Sequence, residues 1–135
     1  MNYKPDLGER VQLLLVDDCV AERDFYELTL APDFKVITAS RGDQGLAMAR
    51  RERPHAIVLD VIMPGMDGWE TCTRIKCDDV TADIPVILLT GADDRDLTQH
   101  ANAVGASSLL QKPCPVDRMR EAIVAVLDGN SISKR

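Results

Sequence analysis

The stretch AIVLDVIMPGMDGWE, residues 56–70, passes from an apolar run to an aspartate, then to a cluster of turn formers, and then into helical spacing. Ala56 to Leu59 has the length and character of a buried strand. Met63 to Gly68 holds a proline and glycines close together, a composition that builds a tight turn. From Gly68 to Cys77 the apolar residues fall three and four apart, as one face of a helix requires. The segment reads as one strand, loop and helix, with Asp60 standing directly after the strand.

The same unit recurs along the chain. Val11 to Val16, Phe34 to Thr38, Val86 to Leu89 and Ser107 to Leu110 are the other short apolar runs, and their character predicts strands covered on both faces. Val20 to Leu30, Asp43 to Arg51, Asp93 to Val104 and Pro115 to Leu127 carry the remaining helical patterns. Pro32 follows the first helix, Asp43 and Asp67 are placed to cap the second and third, Gly105 to end the fourth and Pro115 to begin the fifth. Alternating strands and helices joined by right-handed crossovers fold into an α/β, doubly wound parallel sheet. In such a sheet the working crevice lies at the carboxyl ends of the strands, beside the switch point.

Composition limits what the crevice can do. The 135 residues fit one compact domain with a core. Acidic residues outnumber basic ones, 22 to 16, giving a formal charge of −6 that disfavours direct binding to nucleic acid or anionic lipid. No apolar run approaches a membrane span and Met1 to Arg10 has no signal-peptide core, so a cytoplasmic location is expected. Cys19, Cys72, Cys77 and Cys114 are scattered without zinc spacing and read as free thiols. On a helix, Cys72 and Cys77 fall on different faces. His55 and His100 read as edge or solvated residues without partners.

Five polar residues stand at strand ends. Asp17 and Asp18 follow the first strand, Asp60 the third, Thr90 the fourth, and Lys112 the fifth. The fold would bring three carboxylates, a hydroxyl and an ammonium to one edge. Carboxylates so placed repel unless a cation offsets them, and oxygen-only ligands with few carboxylates suit magnesium, with calcium as the alternative ion. A carboxylate beside such a cation can attack phosphorus while the metal and the lysine neutralise the phosphoryl oxygens. Pro113 holds Lys112 extended, which aims the lysine.

The motifs LLLVDD at 13–18, VLDVIMPGMDGWE at 58–70, VILLTG at 86–91 and GASSLLQKP at 105–113 resemble, in order and spacing, the receiver domain family of response regulators. The resemblance covers the chain from about Val11 to Leu127. It implies a CheY-like, flavodoxin-type (βα)5 fold with strand order 2-1-3-4-5. It also implies a phosphorylation switch rather than an enzyme. Asp60 would accept a phosphoryl group from a sensor histidine kinase or phosphotransfer protein, Thr90 and Lys112 would contact that group, and slow self-dephosphorylation would follow. Mg2+ would be held by Asp17, Asp18, Asp60 and the backbone carbonyl of Ile62, and the Lys112–Pro113 peptide would be cis. Phosphorylation would draw in the Thr90 hydroxyl and change the surface of the fourth helix, fifth strand and fifth helix. A downstream protein, an output domain or a dimer formed on phosphorylation would read that change.

Three departures from the family pattern stand out. Leu109 replaces a frequent tyrosine or phenylalanine, removing the aromatic that swings with the threonine. Cys114 and Gly91 replace an apolar residue and an alanine. Ile62 and Ala92 occupy the positions flanking the phosphoryl group, and neither can orient water, which implies a long-lived phosphorylated form.

Residues 1–10 read as an extension, 11–128 as the receiver domain and 129–135 as a tail. Stand-alone and front-end-of-a-regulator readings both fit. Competing functions are a receiver-like module for contacts without phosphorylation and a haloacid dehalogenase-type phosphatase. The latter needs DxD after strand one, where Asp17, Asp18 and Cys19 stand. A flavin site would need a phosphate loop there, which the two aspartates oppose.

Overall fold

The computed structural model describes residues 10–91 and 96–129. Five parallel strands, β1 (Gln12–Val16), β2 (Lys35–Ala39), β3 (Ala56–Asp60), β4 (Val86–Thr90) and β5 (Ser108–Gln111), form one sheet in the order β2-β1-β3-β4-β5. Five helices connect and follow them: α1 (Val20–Leu30), α2 (Gly42–Glu52), α3 (Gly68–Lys76), α4 (Leu97–Ala103) and α5 (Val116–Leu127). The expected α/β doubly wound fold and strand order are those observed.

Period-two alternation divides the core. Leu13, Leu15, Val58, Ile87 and Leu89 point to one face and pack with Tyr26 and Leu30 of α1 and Met119, Ile123 and Val126 of α5. Leu14, Val16, Ile57, Leu59, Val86 and Leu88 point to the other and pack with Ala49 of α2, Cys72 and Ile75 of α3 and Ala101 of α4. Fully burying one such Leu or Ile contributes about 1.5–3 kcal/mol, so the central strands anchor both layers. Coverage on both faces holds for β1, β3 and β4. It fails for β2 and β5, which sit at the sheet edges and stay partly exposed.

Four strands, β2 to β5, end one residue beyond their apolar runs, and in β3 and β4 the added residue is polar and belongs to the candidate site. Asp60 pairs with Leu89 and Thr90 with Gln111, so both close their strands instead of following them. The parallel ladder continues because Val61 N–H donates to Leu89 and Lys112 N–H donates to Thr90, which needs only backbone. The cap of α2 also differs. Arg41 is its N-cap without a side-chain bond, and Asp43 lies inside the first turn, paired with Arg41. Gln44 reaches back instead, its Oε1 accepting from Ser40 N at 2.8 Å. Asp67 does cap α3, accepting from Glu70 N at 2.9 Å, and Gly105, with φ +85°, follows α4 as expected. The predicted start of α4 at Asp93 lies outside the described residues.

Gly68 fixes how closely α3 approaches β3. A Cβ there would overlap the carbonyl oxygen of Asp60 and lie 2.5 Å from Val61 Cα. Its own N–H donates to Val61 at 2.8 Å, so the loop after Asp60 is closed tightly onto the strand end.

At the other end of α3, Lys76 is drawn inward and donates to the carbonyls of Ala82 and Ile84, at 3.1 and 2.5 Å. Thr81, fully buried, donates to Ile75 at 2.7 Å. These bonds close the corner between α3 and β4.

Candidate functional site

The carboxyl ends of β1, β3, β4 and β5 converge as the topology requires. Asp17, just past β1, is tied to β2 by its N–H to Ala39 and is 1% exposed. Its Oδ1 accepts from Cys19 N at 2.9 Å, while its Oδ2 is buried and accepts nothing. Burial raises its pKa, partly offset by the Cys19 bond. Arg23 steadies the segment by donating to the Asp17 carbonyl at 2.7 Å. Asp18 is exposed and shares the cluster with Asp17 and Asp60, carboxylate oxygens of all three lying within 4.8 Å of one another.

Asp60 closes β3 and is 3% exposed. Burial pushes its carboxyl up to about 6, against the pull of the nearby Lys112 ammonium. Lys112 Nζ lies 3.1 Å from Asp60 Oδ1 as an ion pair, but not at hydrogen-bonding angles, and Oδ1 accepts no hydrogen bond. The same ammonium is 3.0 Å from Glu22 Oε1 and donates to Glu22 Oε2 at 3.3 Å. Burial acts to lower the pKa of Lys112, yet the Glu22 bond and the Asp60 and Asp17 charges outweigh it and hold it above its usual value. The peptide from Lys112 to Pro113 is cis.

Thr90 is fully buried at the end of β4. Beside it opens a cavity of about 450 Å³, lined by Leu97 of α4, Leu109 and Gln111 of β5, Pro113, and Arg118 of α5 among others. Ile62, two residues past Asp60, is 63% exposed. Ala92 lies outside the described residues.

Asp17 Oδ2 is buried without a donor, and Asp60 Oδ1 has only the Lys112 ion pair and no hydrogen bond at favourable angles, so both buried charges are costly as they stand. With Asp18 they offer hard oxygen ligands within reach of one ion, so the residues fit magnesium.

Residues 13–124 match the family model of the response regulator receiver domain. The chain belongs to that family. Over 103 residues the receiver domain is 43% identical to response regulator PleD of Caulobacter vibrioides, a match covering 76% of this chain and 23% of PleD. It is 33% identical to protein PilH of Pseudomonas aeruginosa over 121 residues, covering 87% of this chain and 98% of PilH. The structure of chemotaxis protein CheY4 of Vibrio cholerae superposes with a TM-score of 0.82 at 29% identity, over 87% of this chain and 99% of that one. Receiver domains are regulatory parts of two-component systems rather than enzymes in the ordinary sense, and they generally bind Mg2+.

All five residues singled out in the sequence lie at one edge of the sheet. Sequence reasoning missed Glu22, which meets Lys112 across 90 positions of chain. Its only local signal is a place in the first turn of the helix that follows the aspartate pair. The histidines also have partners, contrary to expectation. His55 Nδ1 accepts from Gln12 N at 3.0 Å, and His100 stacks on Trp69. Both partners come from other elements, which spacing along the chain does not reveal. The four cysteines are free thiols, Cys72 and Cys114 buried, Cys19 and Cys77 exposed.

Proposed function

We propose that this receiver domain, residues 11–128, is a phosphorylation switch with Asp60 as acceptor. The observation that carries the reading is the buried Asp60 carboxylate, with an oxygen that accepts no hydrogen bond and an ammonium 3.1 Å away. An oxygen lone pair is thus free to attack phosphorus while Lys112 stands ready to neutralise the transferred group. Thr90, at the neighbouring strand end, contacts a phosphoryl oxygen through its hydroxyl. Asp17, Asp18, Asp60 and the carbonyl of Ile62 would hold Mg2+, which supplies further positive charge for the phosphoryl oxygens.

The donor is a phosphohistidine on a sensor histidine kinase or phosphotransfer protein. Val20, Phe25 and Leu28 are exposed apolar side chains on α1, the helix that starts just after Asp17 and Asp18, and such a partner can dock on this helix. The added charge draws on Thr90 and repacks the cavity between α4, β5 and α5, and a downstream protein, an output domain or a second copy reads the new surface. The chain works in the cytoplasm; no helix among the described residues is long and apolar enough to cross a membrane.

Intact mass after incubation with magnesium and acetyl phosphate tests the reading, native chain against Asp60→Asn. One added phosphate that needs both magnesium and Asp60 supports it. No addition favours a contact module that works without phosphorylation.

A further inference from the structure

Lys112 is the one cation that the structure brings to Asp60 among the described residues, and it is shared. Glu22 meets it with both carboxylate oxygens, at 3.0 and 3.3 Å, while Asp60 Oδ1 sits at 3.1 Å. The two acids differ in setting. Asp60 is buried at a strand end, whereas Glu22 is about a third exposed, projects from the first turn of α1 and is not part of the Asp17, Asp18 and Asp60 cluster.

We propose that Glu22 is a positioning residue that restrains phosphorylation of Asp60 by occupying the Lys112 ammonium. The inference rests on the switch reading above. An ammonium already paired with one carboxylate presents a weaker positive field to a second anion. The charge of Glu22 also reaches the acceptor itself, being among the influences that raise Asp60 and Asp17. In the transfer from acetyl phosphate, an Asp60 oxygen forms a bond to phosphorus while the bond from phosphorus to the acetyl oxygen breaks, and acetate leaves with that electron pair. No proton moves, so the charge on the phosphoryl oxygens must be met by the site, and every fraction of Lys112 held by Glu22 is withheld from it. With phosphoramidate the phosphorus–nitrogen bond breaks instead and ammonia leaves. That donor carries one less negative charge near neutral pH and is less sensitive to Glu22.

The test is the initial rate of phosphate incorporation, by intact mass with saturating magnesium, in the native chain, Glu22→Gln and Glu22→Ala. Glutamine keeps the shape and an acceptor oxygen and loses only the charge, so the fold is retained; far-UV circular dichroism checks this for both variants. Both variants should be labelled by acetyl phosphate about three- to tenfold faster than the native chain. The gain should be smaller with phosphoramidate and should shrink at about 0.5 M salt. A role confined to structure would give no such dependence on donor charge or salt. Equal or slower labelling of the variants overturns the inference alone, as does a slow Ala variant beside a native-like Gln variant. A native chain that takes up no phosphate overturns the functional reading and this inference with it.

Discussion

The indole of Trp69 and the imidazole of His100 lie face to face, centroids 3.8 Å apart and planes 13° from parallel, joining α3 to α4. Trp69 is the sole tryptophan of the chain and begins nine positions after Asp60, so its emission reports on the helix that the switch is proposed to move. Magnesium with acetyl phosphate should change Trp69 fluorescence in the native chain and leave Asp60→Asn unchanged. His100→Ala should start from a different intensity and lose most of the response. A full response in His100→Ala would separate the signal from the stack.

Asp60→Asn should stabilise the metal-free domain at pH 7 by about 1–3 kcal/mol. Because folding raises the Asp60 pKa from 3.8 to about 6, the native state holds a proton that the unfolded chain has lost between those values. The contribution of Asp60 to stability therefore falls as pH rises from about 4 to about 6 and stays low above. Urea midpoints across that range should decline more in the native chain than in Asp60→Asn.

Magnesium should reverse that penalty. A ligand that binds only the folded state at about ten times its Kd adds about 1.4 kcal/mol. Thermal midpoints should rise with magnesium and return on chelation, and Asp17→Asn and Asp60→Asn should each respond much less. An equal rise in all three proteins would place the ion elsewhere.

Gly68→Ala should destabilise the domain by about 1–3 kcal/mol through overpacking against the Asp60 and Val61 backbone. Because the displaced atoms belong to the acceptor residue, labelling should slow more than stability alone accounts for. Gly65→Ala supplies the contrast: its Cβ meets nothing within 4 Å, and its cost comes from the positive φ of +74°. It should therefore cost stability with less effect on labelling.

The phosphorylated form should last minutes or longer, because the Ile62 side chain offers no group to orient water. Loss of the acyl phosphate within seconds, followed by mass after removal of the donor, would contradict this.

Much of the architecture was legible because the signals are local. The apolar runs around Leu14, Val58 and Leu88 are long enough to mark strands, and the turn formers from Met63 to Gly68 mark where the third strand must stop. That the five candidate residues meet at the strand ends was legible for the same reason, each standing at or just after the end of such a run. What escaped came mostly from side chains crossing between elements, Glu22 to Lys112 and His100 to Trp69, and in one place from a local alternative, Gln44 rather than Asp43 bonding back at the start of α2. The ends of β2 to β5 each lie one residue beyond the apolar runs because the backbone ladder continues through Ala39, Asp60, Thr90 and Gln111 without any need for large apolar side chains.

The alternation that splits the core also couples folding to signalling in a way that constrains how the chain can vary. Leu13 and Leu15 serve one layer and Leu14 and Val16 the other, and Asp17 follows at once. Inserting or deleting a single residue in β1 would carry every side chain after the change into the wrong layer and move the aspartate off its mark together. The strands that lead to the site, β5 included, are therefore closed to changes of length, while the exposed helix surfaces stay open to changes of side chain. Lineages of such a domain can diversify whom they signal to without disturbing the clockwork that makes the signal.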